Sequence, residues 1–373
     1  MDQRNTLALT MSASSDTNTM EAREDIRRLS REELVQRLTQ WGEPAYKARQ
    51  VYEWLWVKGA TSFDAMTNLS LTLRQKLQTA FEIRHLNVQQ SQRSKDGTIK
   101  NALTLHDGLV VESVLIPTPT RITACVSSQV GCSLACTFCA TARMKRMRNL
   151  NPDEIYDQVV AIQKQAKEEF GRPLTNIVFM GMGEPLLNYR NTLEAIDKIT
   201  SPQGLGLSPR RITVSTAGIA KMIVQMADEK VRFKLALSLH SAIDAKRTAL
   251  MPINGSNSLE DLGKALEYWY RQTRNRVTLE YVVWRGVNDQ EEDIRALINF
   301  ARKFPSKVNL IEYNAVGEDG LRQADSSAVA AYQTALDESG IPCSFRRSRG
   351  RDIDAACGQL ANKTNSHRPS LPV

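Results

Sequence analysis

Three cysteines within eight residues restrict this chain more than any other feature of its sequence. Cys132, Cys136 and Cys139 are spaced C-x3-C-x2-C and follow a strand-like segment, residues 122–130. Three thiolates on one loop bind a metal centre but leave one position open, whereas structural zinc sites and [4Fe-4S] clusters have four positions to fill. The triplet therefore predicts a cluster whose last iron binds a small molecule. A zinc site completed by a distant histidine and plain buried thiols are the alternatives.

The composition is that of a soluble globular protein. The 373 residues are 24% charged and 42% hydrophobic, and no apolar run is long enough to span a bilayer. Six cysteines, three of them clustered, fit metal chemistry in a reducing compartment, so we expect a cytoplasmic protein without a membrane anchor.

The net charge of +8 permits a polyanionic partner. Two basic clusters flank the cysteine-bearing regions: Arg143, Lys145, Arg146 and Arg148, and Arg346, Arg347, Arg349 and Arg351. They predict phosphates near the chemistry, and a solvated basic face is the alternative.

Hydrophobic periodicity divides the chain into five segments. We predict a disordered tail over residues 1–24, a helical RNA-binding module over 25–84, a β-hairpin connector over 85–118, a catalytic domain over 119–361 and a second tail over 362–373. In the helical module, the aromatic residues lie at helix-core spacing, so we expect most of them in its core rather than stacked on bases.

The catalytic domain alternates buried strands with helices. Strands are predicted at 122–128, 176–182, 211–216, 233–239, 278–284 and 307–313. Helices are predicted near 152–169, 189–200, 217–228, 258–274, 289–303 and 326–339. Six strand–helix units predict an α/β fold, a partial (β/α)6 barrel whose open side admits a large substrate. Such barrels carry their chemistry at the carboxyl ends of the strands, and the cysteine triplet follows the first strand.

Polar residues lie where several of these strands end. The second strand leads into Gly181-Met182-Gly183-Glu184-Pro185, where two glycines allow a ligand close to the backbone and a carboxylate accepts hydrogen bonds from an amine. Other strand ends carry Ser215, Ser238, Leu239, His240 and Asn314. Each alone fits ordinary loop chemistry, but together with Glu184 they predict a binding site on one rim.

Two further cysteines are candidates for chemistry. Cys357 lies in a small-residue, glycine-flanked loop, a poor setting for a core thiol and a suitable one for a mobile nucleophile. If the neighbouring arginines crowd it in space, they favour its thiolate, the nucleophilic form. Cys125 is predicted on the first strand, and a small buried hydrophobe is its alternative. We expect Cys343 to be structural.

Six motifs occur in order along the chain: Cys125–Cys132, Gly181–Pro185, Ser238–His240, Met251–Asn254, Gly286–Asp289 and Ala356–Leu360. Together they resemble the RlmN family, radical S-adenosylmethionine (SAM) enzymes that methylate C2 of adenine in RNA. The resemblance runs from about residue 30 to about residue 361, and the cysteine triplet is that of the radical SAM superfamily. The chain departs from the family pattern at Thr141-Ala142 and at Glu312-Tyr313.

The resemblance implies two cofactors. A [4Fe-4S] cluster would be held by Cys132, Cys136 and Cys139. SAM would be held by Gly183, Glu184, Ser215, Ser238, Leu239, His240 and Asn314.

The resemblance also implies a reaction that uses two SAM molecules. Cys357 takes a methyl group from one of them, and reductive cleavage of the other yields a radical that activates this methyl group for addition to the electron-poor C2. Cys125 then attacks the sulfur and leaves a disulfide with Cys357, while Glu112 accepts the C2 proton. From its position alone, Glu112 also fits an exposed carboxylate on a hairpin strand.

The implied partners are 23S rRNA at the peptidyl transferase centre, some tRNAs at the adenosine 3′ to the anticodon, and an electron donor such as flavodoxin; a monomer is expected. Three alternatives stay open. A sister family methylates C8 of the same ribosomal adenosine with the same cysteines. An RNA-binding protein with a structural zinc site would not need Cys125 or Cys357. An activase that makes a glycyl radical on a protein partner offers no role for Cys357.

Overall fold

The computed structural model describes residues 23–317 and 320–362. The two predicted tails therefore lie largely outside the described residues. Ordered structure has begun by Glu24, which pairs in parallel with Phe81.

The described residues form ten α-helices and fourteen strands. The helices are α1 (Arg31–Gln40), α2 (Ala45–Trp56), α3 (Leu71–Ala80), α4 (Pro152–Phe170), α5 (Tyr189–Thr200), α6 (Ala220–Asp228), α7 (Asp244–Leu250), α8 (Leu259–Thr273), α9 (Glu291–Ala301) and α10 (Ser326–Glu338). The strands are β1 (Glu24–Asp25), β2 (Phe81–Glu82), β3 (Asn87–Arg93), β4 (Ile99–Thr104), β5 (Val110–Pro117), β6 (Ile122–Cys125), β7 (Gln129–Val130), β8 (Arg148–Asn149), β9 (Asn176–Phe179), β10 (Ile212–Thr216), β11 (Lys234–Ser238), β12 (Val277–Val282), β13 (Ser306–Ile311) and β14 (Cys343–Arg346). No helix of this described part is long and apolar enough to cross a membrane.

Ten of the strands form one sheet, in the order β14-β13-β12-β11-β10-β9-β6-β5-β4-β3. The six predicted strands, β6 and β9 to β13, run parallel to one another, which confirms the α/β fold and its open, partial barrel. A seventh parallel strand, β14, adds to the edge of β13. It was not predicted because the strand has only four residues and no apolar pattern, so that only pairing with β13 holds it extended.

The predicted hairpin connector is part of this same sheet. β3, β4 and β5 are antiparallel, and β5 pairs directly with β6. The register places Ala102 opposite Glu112 and Val114 opposite Cys125. Because opposite residues and alternate residues share a face, Glu112 and Cys125 point to the same side of the sheet.

The N-terminal helices form as predicted, with Ser30 and Glu33 in a reciprocal capping box before α1. Trp56 is 2% exposed and packs edge-on against Tyr156 of α4, with ring centroids 5.2 Å apart. The Nζ of Lys198, on α5, donates to the Tyr52 hydroxyl at 2.7 Å. The expected aromatic core therefore also joins this module to the outer helices of the barrel.

Candidate active site

One cavity at the carboxyl ends of the parallel strands gathers most of the predicted site residues. Its lining includes Cys132, Cys136, Cys139, Cys357, Gly183, Glu184, Ser215, Ser238, His240 and Asn314. Residues from separate strand ends thus converge on one space, as the barrel rule predicts. Three predicted residues, Glu112, Cys125 and Leu239, do not line it.

The three clustered cysteines meet at this cavity on the loop between β7 and β8. Among the described residues, no three His, Cys, Asp or Glu side chains converge closely enough to hold a single metal ion. A [4Fe-4S] cluster takes one cysteine per iron, so its ligands stand further apart. Three cysteines that line one cavity would leave the fourth iron of such a cluster for another ligand.

Burial raises the pKa of all three of these thiols, that of Cys132 to about 11. Desolvation disfavours the thiolate form, and the neighbouring cysteines oppose one another's ionisation. Only a positively charged centre among them would keep all three as thiolates. The donor set is consistent with bound iron.

The glycines after β9 bring backbone to the cavity without side chains. A Cβ on Gly181 would lie 2.6 Å from Ser127 Oγ, and one on Gly183 would lie 2.5 Å from Gln129 Cβ. Gly183 also has a φ of +93°, which favours glycine. These positions require glycine for packing as well as for ligand approach.

We expect Gly183→Ala to remove SAM binding and to destabilise the fold by about 2–4 kcal/mol, because the new Cβ adds overpacking and backbone strain. Equilibrium dialysis with SAM and urea unfolding would measure both effects. Gly108→Ala is the matched control, since Gly108 also has a positive φ but its Cβ would meet nothing within 4 Å. Equal effects of the two substitutions would contradict the packing argument.

Glu184 is buried with both carboxylate oxygens in use. Oε1 accepts from the Leu186 N–H at 3.0 Å and Oε2 from the Ala217 N–H at 2.7 Å. Burial raises its pKa, while these backbone donors favour the ionised form. Beside it on the rim, the hydroxyls of Ser215 and Ser238 lie 3.4 Å apart. This wall offers a carboxylate and two hydroxyls to an amine-bearing ligand.

His240 is buried and held as a neutral imidazole. Its Nδ1 accepts from the Val282 N–H at 3.2 Å, which places the proton on Nε2. Burial, followed by the charge of Arg247, lowers its pKa to about 3. Its ring packs edge-on against Phe138, at 4.8 Å between centroids, next to Cys139.

We therefore expect the imidazole of His240 to show no titration between pH 5.5 and 8, with the proton fixed on Nε2. The unfolded chain takes up this proton near pH 6.5 and the folded chain does not. The contribution of His240 to the free energy of unfolding is therefore fully present above pH 6.5 and is lost as the pH falls toward 3. Histidine nitrogen chemical shifts measured by NMR would check this, with His240→Gln to assign the signal. A midpoint near 6.5 would contradict it.

Asn314 and Leu239 differ in their relation to the cavity. Asn314 is 4% exposed, and its Nδ2 donates to the Glu312 and Cys357 carbonyls at 3.3 and 3.4 Å. Its Oδ1 is buried without a hydrogen-bond partner among the described residues, so it is available to a ligand donor. The Leu239 side chain is fully buried in the hydrophobic core, so only its backbone could serve a ligand.

The loop that carries Cys357 docks against the cysteine loop. Ala140 N–H donates to the Gly358 carbonyl at 2.7 Å, and Thr141 Oγ1 donates to the Leu360 carbonyl at 2.7 Å. Gly358 has a φ of +85°. This docking holds Cys357 at the cavity beside the clustered cysteines.

Cys125 is buried next to Cys357 and Arg346. Burial raises its pKa to about 12, the Cys357 charge adds to this, and Arg346 opposes it. All six cysteines are free. The disulfide implied between Cys125 and Cys357 is therefore not part of this structure, which leaves the pair as thiols.

Only one of the four arginines near Cys357 lies beside it. Arg346 lines the cavity, and Cys357 is the largest charge influence on its pKa, which is raised. Arg351 pairs with Glu312 at 2.9 Å, Arg349 donates to a backbone carbonyl and Arg347 is exposed. The whole cluster therefore does not surround the thiol, because β14 ends at Arg346 and the three later arginines bind other groups or face solvent.

Glu112 is 1% exposed, so the exposed-carboxylate alternative is wrong. Its Oε1 lies 3.5 Å from Lys100 Nζ, and its Oε2 accepts from the Ala361 N–H at 2.9 Å. Ala361 follows Leu360, which lines the cavity. The carboxylate therefore lies directly behind the loop of Cys357.

Sequence reasoning missed three cavity residues: Glu280, Trp284 and Arg346. Glu280 and Trp284 lie in or just after β12, which was interpreted as an ordinary buried strand. A carboxylate at position 280 of so apolar a strand was the available signal. Arg346 was noted only as one member of a basic cluster.

Comparison with known proteins agrees with this site. Residues 126–298 match the Radical SAM superfamily, and residues 25–83 match the ribosomal RNA large subunit methyltransferase N-terminal domain. A probable dual-specificity RNA methyltransferase RlmN of Christiangramia forsetii is 58% identical over 92% of this chain and 97% of its own length. A dual-specificity RNA methyltransferase RlmN of Anaeromyxobacter is 43% identical over 97% of each chain. The chain belongs to the RlmN family.

A solved structure supports the same assignment. A radical SAM methyltransferase from Sphaerobacter thermophilus is 40% identical, with a TM-score of 0.85, over 90% of this chain and 99% of that one. The family assignment confirms a SAM-dependent radical methyltransferase. Membership in the RlmN family implies a [4Fe-4S] cluster and SAM, for which the cavity has the donors described above.

Proposed function

We propose that this RlmN-family enzyme methylates C2 of an adenosine in 23S rRNA at the peptidyl transferase centre, and of the adenosine 3′ to the anticodon in some tRNAs. One observation carries the proposal. Cys357 lies at a cavity shared with the three clustered cysteines, with a second buried thiol, Cys125, beside it. A methyltransferase that only held SAM would need neither thiol.

Each protein group has a role that its surroundings support. Cys357, on a loop docked at the cavity, is the methyl acceptor and carrier. When bound, the cluster on Cys132, Cys136 and Cys139 and the SAM on the Glu184 wall supply reducing power, a radical source and methyl groups.

Two buried groups behind the cavity would complete the reaction. Cys125, whose pKa is influenced by the charge of Cys357, would attack the carrier sulfur and release product, leaving a transient disulfide. Glu112, whose Oε1 lies 3.5 Å from Lys100 Nζ, would accept the C2 proton at the end of the Cys357 loop.

Partners follow from this chemistry. The substrate is RNA, which the basic net charge of +8 would favour. An electron donor such as flavodoxin would reduce the cluster, and a monomer acting in the cytoplasm would suffice because one chain carries every group.

Nucleoside analysis of 23S rRNA, incubated anaerobically with reconstituted protein, SAM and a reductant, tests the proposal. We expect 2-methyladenosine, and none from Cys357→Ala. Formation of 8-methyladenosine would instead favour the sister family, which uses the same cysteine set. An intact cluster without methylation of rRNA or tRNA would overturn the proposal.

A further inference from the structure

A buried carboxylate faces the cavity with one oxygen unused. Glu280, on β12, is 4% exposed and lines the cavity. Its Oε1 accepts from Asn309 Nδ2 at 2.9 Å, which fixes the orientation of the group. Its Oε2 is buried and has no hydrogen-bond donor among the described residues. An oxygen buried in this way is costly unless a ligand donates to it.

A guanidinium faces the same cavity without a carboxylate partner. Arg346, at the end of β14, lines the cavity, and its Nη1 lies 3.8 Å from Met180 Sδ. No carboxylate of the described residues forms an ion pair with it, although Glu280 contributes charge from nearby. Nη1 donates to that sulfur, and the other N–H groups of the guanidinium are available to a ligand acceptor, next to Cys357 and Cys125.

Glu280, Arg346 and Cys357 line the same cavity, and Arg346 is close enough to the other two to interact with the charge of each. A ligand that matches them offers a donor, then an acceptor, then a reacting atom. The Watson–Crick edge of adenine has this order, with the 6-amino group, N1 and C2. Enzymes that act on a base commonly turn it out of the helix and contact this edge.

We propose that Glu280 and Arg346 select the target base, Glu280 Oε2 accepting from the 6-amino group and Arg346 donating to N1, so that C2 faces Cys357. This inference rests on the proposed C2 methylation. Guanine would present an oxygen to Glu280 and an N–H to Arg346, so both contacts would be repulsive. The pair would thus act in specificity, before any chemistry begins.

SAM is the competing occupant for Glu280, because β11 and β12 pair Ser238 with Glu280. A ribose hydroxyl could donate to the same oxygen. The position of Arg346 beside the thiols favours the base, since the sulfur that carries the methyl group must approach the base. SAM affinity therefore serves as the counter-test.

The test measures binding without turnover. Anisotropy of labelled RNA hairpins is recorded anaerobically with the reconstituted enzyme and SAM, in the absence of reductant. The target position carries adenosine, purine riboside (no 6-amino group), 1-deazaadenosine (no N1) or 7-deazaadenosine. Hydrogen bonds to charged groups predict that each of the first two analogues binds about 10–100-fold more weakly than adenosine, whereas 7-deazaadenosine binds as adenosine does.

Two variants link each contact to its residue. Glu280→Gln keeps one oxygen for Asn309 and turns an N–H₂ toward the 6-amino group, so it should bind adenosine about 10–100-fold more weakly and no longer distinguish it from purine riboside. Arg346→Met should abolish the distinction from 1-deazaadenosine. Glu267→Gln and Arg302→Met, at exposed positions outside the cavity and the basic clusters, are the matched controls and should leave all four affinities unchanged.

The outcomes separate the two proposals. Variants that keep full discrimination, or a Glu280→Gln whose SAM affinity falls as far as its RNA affinity, would overturn the inference. Loss of binding with 7-deazaadenosine rather than 1-deazaadenosine would show that the opposite edge of adenine is contacted and would also overturn it. Melting curves and the cluster absorbance identify variants that fail to fold. If Glu280→Gln or Arg346→Met fails, Glu280→Asp or Arg346→Lys takes its place. If the wild-type enzyme methylates no adenosine, the proposed function itself fails.

Discussion

Cys125→Ala is expected to stop turnover with the RNA covalently attached to the protein through Cys357. Cys125 is buried near Cys357, whose charge raises its pKa, and it is not a candidate cluster ligand; in the proposed reaction it attacks the sulfur of Cys357. Without it, the bond between the sulfur and the new methylene group has no nucleophile to break it. We expect multiple turnover to fall by on the order of 10³-fold or more.

Denaturing gel electrophoresis with labelled RNA would detect this adduct, and mass spectrometry of a nuclease digest would place it on Cys357. Cys343→Ala is the control, because Cys343 lies at the sheet edge on β14 and does not line the cavity. It should turn over normally without an adduct. Normal turnover by Cys125→Ala would contradict the role of the second thiol.

Arg27→Met is expected to destabilise the fold by about 3–5 kcal/mol, since it leaves buried carboxylates without a partner. Arg27 Nη1 donates to Asp157 at 2.7 Å, and its Nη2 lies 3.4 Å from Asp153. Asp25 accepts from the Arg27 backbone N–H, and the guanidinium packs 6.0 Å from the Trp56 ring centre. One side chain thus joins the N-terminal module to α4.

Acidic pH should reduce the defect of Arg27→Met. Burial raises the pKa of Asp153 from its ordinary value of 3.8 to about 6. Ionisation of this carboxyl therefore lowers the free energy of unfolding as the pH rises through that range. Protonation at pH 5 relieves the unpaired charge, and the loss of stability should be smaller there than at pH 8. Urea unfolding followed by tryptophan fluorescence would measure both.

Arg28→Met is the matched control, because the Arg28 side chain is 40% exposed and lies 3.9 Å from Asp153. It should cost less than about 1 kcal/mol. Adding Asp153→Asn and Asp157→Asn to Arg27→Met should recover part of the loss. A loss below about 1 kcal/mol for Arg27→Met at pH 8 would show that the network does not hold the module.

Local patterns predicted much of the fold because they depend on neighbours in the chain. The helical N-terminal module and the six parallel strands follow from spacing alone, and the strand boundaries shift by a few residues. The strand β14 was missed because its residues carry no strand pattern, and pairing with β13 decides its conformation. The connector was predicted as separate because sequence does not show that β5 pairs with β6.

The candidate site divides in the same way. Spacing and strand ends identified the three clustered cysteines, Glu184 and His240. Local sequence made Cys357 and Cys125 candidates, and motif resemblance added their roles and Glu112. Sequence reasoning did not identify Glu280, whose proposed role depends on an unpaired oxygen. It also did not separate Arg346 from the neighbouring arginines. Leu239 was assigned to the ligand, whereas its side chain packs in the core.

The sequence by itself determined the cluster loop, the order of strands and helices, and the family. All three depend on the spacing of residues along the chain, which is the same in any fold. The tertiary structure decided which distant groups meet: Cys125 with Cys357, Glu112 with the end of the Cys357 loop, and Glu280 with Arg346. Sheet register and side-chain direction bring these groups to one cavity or directly behind it, and neither is encoded at any single position. Burial then sets their charge and hydrogen bonding, and so their chemistry.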